Sequence, residues 1–238
     1  MSDLKRFEMD GATFVQDIRA GADRGVSAGD TFVLVKSDPL LDVYRALAAH
    51  RPRTIMEIGM FQGGSMVFFD KLYEPETLVG IDARREPIAA LEAYREGRPH
   101  IHTFYGRYQE GPGTLAAARQ CFPDGIDLVV DDASHLYPQT KATFEALFPL
   151  VRSGGHYVIE DWEWAHRPAY QGAEATWADR PALTNLLFEL MILSTRHNVI
   201  DRIVVEGGAI CLRRGEGAMP AAPLDLSGCL RGRELPRI

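Results

Sequence analysis

From Thr54 to Glu160 the chain alternates between two periodicities. Five short apolar runs have strand length: Thr54–Ile58, Thr77–Asp82, Ile101–Tyr105, Ile126–Asp131 and Gly155–Glu160. Between them lie Ser65–Leu72, Pro87–Glu96, Gly113–Gln120 and Tyr137–Leu150, whose apolar positions recur at helical spacing. Apolar strands without strict alternation are buried on both faces, so this repeat predicts a parallel sheet between two helix layers. A polar loop over 162–180 follows, then a helix from Pro181 to Thr195. Two further strands, Val199–Val205 and Ala209–Arg213, flank Glu206-Gly207-Gly208, the spacing of a hairpin with a glycine turn. The expected fold is α/β, a mostly parallel seven-stranded sheet with a C-terminal antiparallel hairpin.

The flanks are less regular. Asp38-Pro39 opens an amphipathic stretch to His50, with Leu40, Leu41, Tyr44, Leu47 and Ala48 at helical spacing. Residues 1–36 mix short apolar patches with Gly and Asp and read as a helix-and-loop leader. The Gly/Pro-rich stretch from Gly215 has no period and reads as an extension. The expected division is therefore a leader over 1–50, one cofactor-binding domain over 51–215 and a tail over 216–238.

Composition changes this picture little. The 238 residues are 46% hydrophobic and 25% charged, ordinary for one globular domain. A net charge of −7 gives no overall pull toward nucleic acid or anionic membrane. The N-terminus lacks the apolar core of a secretory signal, and no run has bilayer length. Cys121, Cys211 and Cys229 have no metal-site spacing and read as free thiols, which fits a cytoplasmic protein. The Pro181–Thr195 helix and the tail are candidates for a homo-oligomer interface.

Chemistry enters at the strand ends. The first strand runs into Glu57-Ile58-Gly59-Met60-Phe61-Gln62-Gly63-Gly64-Ser65. Glycines that turn a strand into a helix let backbone approach a ligand closely. The spacing departs from the GxGxxG dinucleotide fingerprint, because Phe61 stands where its second glycine belongs. S-adenosylmethionine has no pyrophosphate to cradle; its loop must admit an amino-acid chain and a sulfonium. Glu57 can meet the cofactor's positive end. Asp82 ends the second strand and can accept ribose hydroxyls, or else cap a helix. Gly59, Gly63 and Ser65 complete the expected cofactor loop, and Tyr108 follows the third strand in a segment that reads either as a rest for adenine or as an ordinary loop.

Two more strand ends carry acids. Asp131-Asp132-Ala133-Ser134-His135 closes the fourth strand and Glu160-Asp161-Trp162 the fifth. Ligands of open α/β sheets bind at the carboxyl ends of strands, so these residues converge. Four acids together need a compensating charge, and a hard divalent cation, Mg²⁺ or Mn²⁺, is the simplest source. Asp132, Glu160 and Asp161 are the expected ligands, and Asp131, alternating with Asp132, is assigned to the cofactor side. His135 reads either as the base for an acceptor hydroxyl or as packing at a helix start. Trp162, Trp164, His166 and Tyr170 read either as walls of an acceptor site or as packing of a lid.

These residues carry a resemblance. The stretch from Lys36 to Asp82, with Asp38-Pro39-Leu40-Leu41-x-x-Tyr44 and Glu57-Ile58-Gly59-x-x-x-Gly63-Gly64-Ser65, resembles the cephalosporin hydroxylase family, which has a methyltransferase fold. The stretch from Asp131-Asp132-Ala133-Ser134-His135 through Ser153-Gly154-Gly155-His156-Tyr157-Val158-Ile159-Glu160-Asp161 resembles the metal-dependent macrolide sugar O-methyltransferases of the mycinamicin and macrocin type. The resemblance implies a Rossmann-like class I methyltransferase with S-adenosylmethionine as cofactor. It implies Mg²⁺ on Asp132, Glu160 and Asp161, with His135 as base. The acceptor would be a hydroxyl of a small molecule, a sugar or another secondary metabolite, with no nucleic-acid or membrane partner. The competing functions are an NAD(P)-dependent oxidoreductase on a Rossmann sheet and a non-catalytic cofactor-binding protein.

Overall fold

A computed structural model describes residues 4–19, 24–170, 172–219 and 223–230. Its main sheet is built from β4 (Thr54–Ile58), β5 (Thr77–Asp82), β6 (Ile101–Tyr105), β7 (Ile126–Asp131), β8 (Val151–Glu160), β9 (Ile200–Glu206) and β10 (Ala209–Arg214), which follow β1 (Lys5–Met9), β2 (Ala12–Gln16) and β3 (Thr31–Leu34) in the chain. The strand order is β6-β5-β4-β7-β8-β10-β9, parallel through β8. The last two pairings are antiparallel, because the β9–β10 hairpin inserts β10 beside β8. The expected seven-stranded sheet with its closing hairpin is present.

Period-two alternation feeds two cores. Met56, Val79, Val129 and Tyr157 point into one layer, where α4 (Pro112–Cys121), α5 (Tyr137–Leu147) and α6 (Thr184–Ser194) cover the sheet. Their neighbours Ile55, Leu78, Leu128 and Val158 point into the other, under α1 (Asp38–Leu47), α2 (Gly64–Tyr73) and α3 (Ala89–Arg95). Strand β4 pairs with β5 on one side and β7 on the other. Successive connections therefore leave β4 in opposite directions, which opens a crevice beyond its carboxyl end.

The first 36 residues depart from expectation. They contain no helix among the described residues; β1, β2 and β3 form a second, three-stranded sheet. The Asp10-Gly11 turn explains the first hairpin. Both residues have positive φ, 44° and 81°, the backbone that a two-residue hairpin demands. Phe7, Phe14 and Phe32 then seat this sheet on α2, with Phe14 and Phe68 edge-to-face at 5.9 Å. These strands have four or five residues each, too short for a helix-or-strand decision from periodicity.

The tail also departs. Leu224, Leu226 and Cys229 are buried in the core under α5 and α6, and the Leu226 amide donates to Glu145 Oε1 at 2.7 Å. A short helix, α7 (Ser227–Leu230), ends the described chain. Three apolar anchors at irregular spacing carry no period, so the sequence pattern could not show them. Helix boundaries differ by a few residues at most, except that the last turn expected for α5 is a 3-10 turn at Phe148–Leu150. Helix α6 buries Glu189 against Lys141 Nζ at 2.6 Å and the Tyr137 hydroxyl at 2.9 Å. No helix of the described residues is long and apolar enough to cross a membrane.

Candidate active site

The crevice beyond β4 is a cavity of about 590 Å³. Its walls include Gly59, Phe61 and Asp82 on one side, Tyr108 and Gln109 at one end, and Asp132, His135, Asp161 and Trp164 on the other. The expected cofactor loop and the expected reaction residues thus face one space.

The loop is built by backbone conformation. Gly59 has φ +93°, and a Cβ there would lie 2.0 Å from the Asp132 carbonyl oxygen. That closeness lets the Asp132 amide bond the Ile58 carbonyl at 2.9 Å, tying the β4 and β7 ends together. Gly63 has φ +79° and caps α2, with Leu91 against it. Asp82 clamps the turn between them. Its Oδ2 accepts the amides of Met60 at 3.0 Å and Phe61 at 3.1 Å, and its Oδ1 accepts the Arg84 amide at 2.8 Å. The carboxylate therefore shapes the loop while also lining the cavity, and it caps no helix, since the next helix begins at Ala89 behind Ile88.

Three expected cofactor residues sit elsewhere. Glu57 is fully buried beneath the loop and lines no described cavity. Burial lifts its carboxyl to about 8, and Lys36 pulls back against that shift. Neither oxygen has a well-formed hydrogen bond, although Ser65 is near enough to lower the pKa slightly. Ser65 itself borders a pocket of only about 20 Å³ shared with Lys36 and Asp132. Asp131 does not reach the main cavity. Its side chain points under the sheet end to the Tyr157 hydroxyl at 3.1 Å and Gln109 Nε2 at 3.4 Å, and burial lifts it to about 8. Alternation along β7 turned it away from Asp132, into the core.

The acid cluster is also split. Asp132, His135 and Asp161 each offer one ligand atom, all within 4.8 Å of one another. His135 Nε2 lies 3.8 Å from Asp132 Oδ1 and 3.9 Å from Asp161 Oδ2. Glu160 is not in this group. It is the last residue of β8, and Asp161 after it takes φ +53°, so the two neighbouring acids diverge. Asp161 turns to the cavity, and burial holds its carboxyl above the usual range. Glu160 turns inward, where Oε1 accepts Lys36 Nζ at 2.6 Å and the Tyr44 hydroxyl. Lys36 Nζ also donates to Asp132 Oδ2 at 3.0 Å.

A divalent cation was the simplest expected source of compensating charge; the structure shows a second one. Lys36 is a buried internal cation placed between two of them. Burial alone would lower its pKa; Asp132, Glu160 and Glu57 more than reverse this, and the net shift is upward. Burial and Asp132 raise Glu160, while Lys36 and Tyr44 stabilise its charged form. Lys36 entered the sequence reading only through a family resemblance. A lysine directly after the apolar run Phe32-Val33-Leu34-Val35 was the available signal. Tyr44 looked like helix core, and only tertiary structure sets its hydroxyl against Glu160.

A divalent cation still fits. Asp132 Oδ1, His135 Nε2 and Asp161 supply hard or intermediate donors at the cavity wall, with side chains 10–25% exposed. His135 does not cap α5: the cap residue is Leu136, and Ser134 Oγ accepts the Leu136 amide. His135 has φ +56°, a strained conformation of the kind found at functional sites. Trp164 packs on its ring at 4.6 Å, and Trp177 Nε1 donates to its carbonyl at 3.2 Å. Trp164, Tyr170 and Trp177 form one aromatic cluster, so the loop after β8 both walls the cavity and packs as a cover. His166 points instead to Thr184 Oγ1, at 2.5 Å. Trp162 packs partly buried against the core on the α5–α6 side.

Residues 56–162 match the model of a methyltransferase domain. The sheet and its helices are those of the Rossmann-like methyltransferase fold. It is 31% identical over 160 residues to 8-demethyl-8-(2-methoxy-alpha-L-rhamnosyl)-tetracenomycin-C 3'-O-methyltransferase of Streptomyces olivaceus, covering 64% of this chain and 39% of that protein. It is 41% identical over 130 residues to L-olivosyl-oleandolide 3-O-methyltransferase of Streptomyces antibioticus, covering 50% and 30%. The chain thus spans well under half the length of these curated relatives. The MycE methyltransferase of the mycinamycin biosynthetic pathway, solved in complex with Mg and SAH, superposes with a TM-score of 0.57 at 26% identity, covering 77% of this chain and 52% of that one. The SAH-bound Podospora anserina methyltransferase PaMTH1 shares the fold, with a TM-score of 0.51 at 17% identity over 76% and 80%.

Proposed function

We propose that this chain is an S-adenosylmethionine-dependent O-methyltransferase, assisted by Mg²⁺ or Mn²⁺, that acts on a hydroxyl of a small secondary metabolite or its sugar. The observation that carries the reading is the convergence of Gly59, Asp82, Asp132, His135 and Asp161 on one cavity. The named activities of the relatives agree with it: each of the two above is an O-methyltransferase.

When bound, S-adenosylmethionine supplies the methyl group and a divalent ion held by Asp132 and Asp161 acidifies the acceptor hydroxyl. The chain's own residues do the rest. The turn at Gly59, held open by Asp82, fixes the donor end of the cavity. Tyr108, 66% exposed, is available as a face for adenine. His135 Nε2 takes the hydroxyl proton as the oxygen forms its bond to the methyl carbon and the sulfur–carbon bond breaks. Trp164 and its aromatic neighbours keep water from that face. Positioning and charge placement are the protein's main contributions.

Parallel calorimetry with S-adenosylhomocysteine and NADH tests the cofactor. Binding of the first and not the second is expected; the reverse would establish the oxidoreductase reading. Transfer of labelled methyl to glycosylated polyketides, lost with EDTA and restored by Mg²⁺, tests the activity. Cofactor binding without transfer to any hydroxyl acceptor would favour a non-catalytic binding protein.

A further inference from the structure

The extra three-stranded sheet has a consequence for the acid site. Strand β3 ends at Leu34, and two residues later Lys36 crosses toward the ends of β7 and β8 before α1 begins. Close contact makes this crossing possible: a Cβ on Gly64 would lie 2.0 Å from the Val33 carbonyl oxygen. Gln16 of β2 then fastens the crossing, its Nε2 donating to the Lys36 carbonyl and to Asp38 Oδ1, both at 2.8 Å. The Lys36 side chain, 2% exposed, passes inward over Tyr44 and Phe69, with Nζ 5.5 and 5.8 Å from their rings.

Its ammonium divides each neighbouring carboxylate into two unlike oxygens. Asp132 gives Oδ2 to Lys36 and keeps Oδ1 toward His135. Glu160 gives Oε1 to both Lys36 and Tyr44, and its Oε2 is buried without a partner. Glu160 is thus saturated on one oxygen and enclosed on the other, outside the group formed by Asp132, His135 and Asp161. We propose that Lys36 is the resident counter-cation of this acid site, delivered by the N-terminal sheet, and that it removes Glu160 from the metal-ligand set. This rests on the metal-assisted reading above. A divalent ion then binds through Asp132 Oδ1 and Asp161, beside His135, against the repulsion of a fixed positive charge. Such a site forms without metal and holds metal weakly.

Mn²⁺ titrated by calorimetry into the chelator-treated full chain tests this, with S-adenosylhomocysteine titrated into the same samples. Glu160→Gln is expected to weaken Mn²⁺ binding about tenfold through lost charge alone, and Asp161→Asn, which also loses a ligand, about a hundredfold or more. Lys36→Met is expected to tighten Mn²⁺ binding about tenfold. A unit charge removed a few ångströms from a divalent ion shifts its energy by at least that much at the effective dielectric of protein sites. Adding Glu160→Gln to Lys36→Met should reduce the gain, because the freed Glu160 carboxylate adds to the relief of repulsion. A Lys36→Met chain that folds only with Mn²⁺ present supports the proposal equally. Loss of binding in Glu160→Gln as large as in Asp161→Asn would overturn it, and this arm stands even where Lys36→Met fails to fold. Absence of Mn²⁺ binding in every sample would overturn both the proposal and the metal in the functional reading. Retained S-adenosylhomocysteine binding would then show that the cofactor assignment survives.

Discussion

Gly59→Ala probes the joint between the cofactor loop and the acid site. At φ +93° an L side chain is strained, and the new Cβ would start 2.0 Å from the Asp132 carbonyl oxygen and 2.7 Å from its carbon. The carbonyl must retreat by about 1 Å merely to reach the closest contact real Cβ atoms make. The left-handed backbone costs about 1–2 kcal/mol, and relief of such overpacking costs about 1–3 kcal/mol more. The retreat strains the Asp132 amide bond to Ile58 and moves the carboxylate away from Lys36 and His135. Stability should therefore fall by about 2–5 kcal/mol, and a displacement of this size at reacting groups should cost about 10²-fold in turnover. Gly11→Ala is the internal control. It has φ +81° but no atom within 4 Å of its would-be Cβ, so only the backbone cost applies. Urea unfolding of both variants at unchanged m value isolates the steric difference. If Gly59→Ala were no less stable than Gly11→Ala and turned over normally, the claimed contact between the loop and the β7 end would be wrong.

His135→Ala should keep S-adenosylhomocysteine affinity and lose about 10²-fold or more of turnover; full turnover with an accepted substrate would remove it as base. Asp82→Asn should loosen the Met60–Phe61 turn, cost about 1–3 kcal/mol and weaken S-adenosylhomocysteine binding, as two amides lose a charged acceptor. His156 lies midway along β8, its ring 4.5 Å from that of His50, and burial lowers its pKa to about 4. A depressed folded-state value means that this contribution to stability is present above the ordinary histidine pKa of about 6.5 and is lost as pH falls through about 4. His156→Gln should flatten the acid side of the Tm-against-pH curve in that window; an unchanged slope would show that His156 does not control it. Glu57 has the opposite sign. Its carboxyl is raised to about 8, so its stabilisation is full below the ordinary glutamate value and is lost as pH rises through 8. Glu57→Gln should flatten the alkaline limb, as read by unfolding at pH 6 through 9.

The main sheet was legible because apolar runs and helical spacing reflect burial on fixed faces, and both periods are local. The carboxyl-end rule then located Gly59, Asp82, Asp132, His135 and Asp161 on one cavity without any knowledge of side-chain direction. What local pattern could not supply was which way neighbouring acids point. Asp131 and Asp132, like Glu160 and Asp161, are adjacent in sequence, and strand pleating with the kink at Asp161 sends each pair apart. The short N-terminal strands and the apolar anchors of the tail carried too few residues to establish a period. Lys36 shows the limit most clearly. Its charge is written in the sequence, but its effect on Asp132 and Glu160 depends on contacts 96 and 124 residues away. Sequence alone determined the fold class, the glycine turn after β4 and the set of acids. Only the tertiary structure decided how those acids are neutralised, because electrostatic compensation in a buried site is set by distance in space.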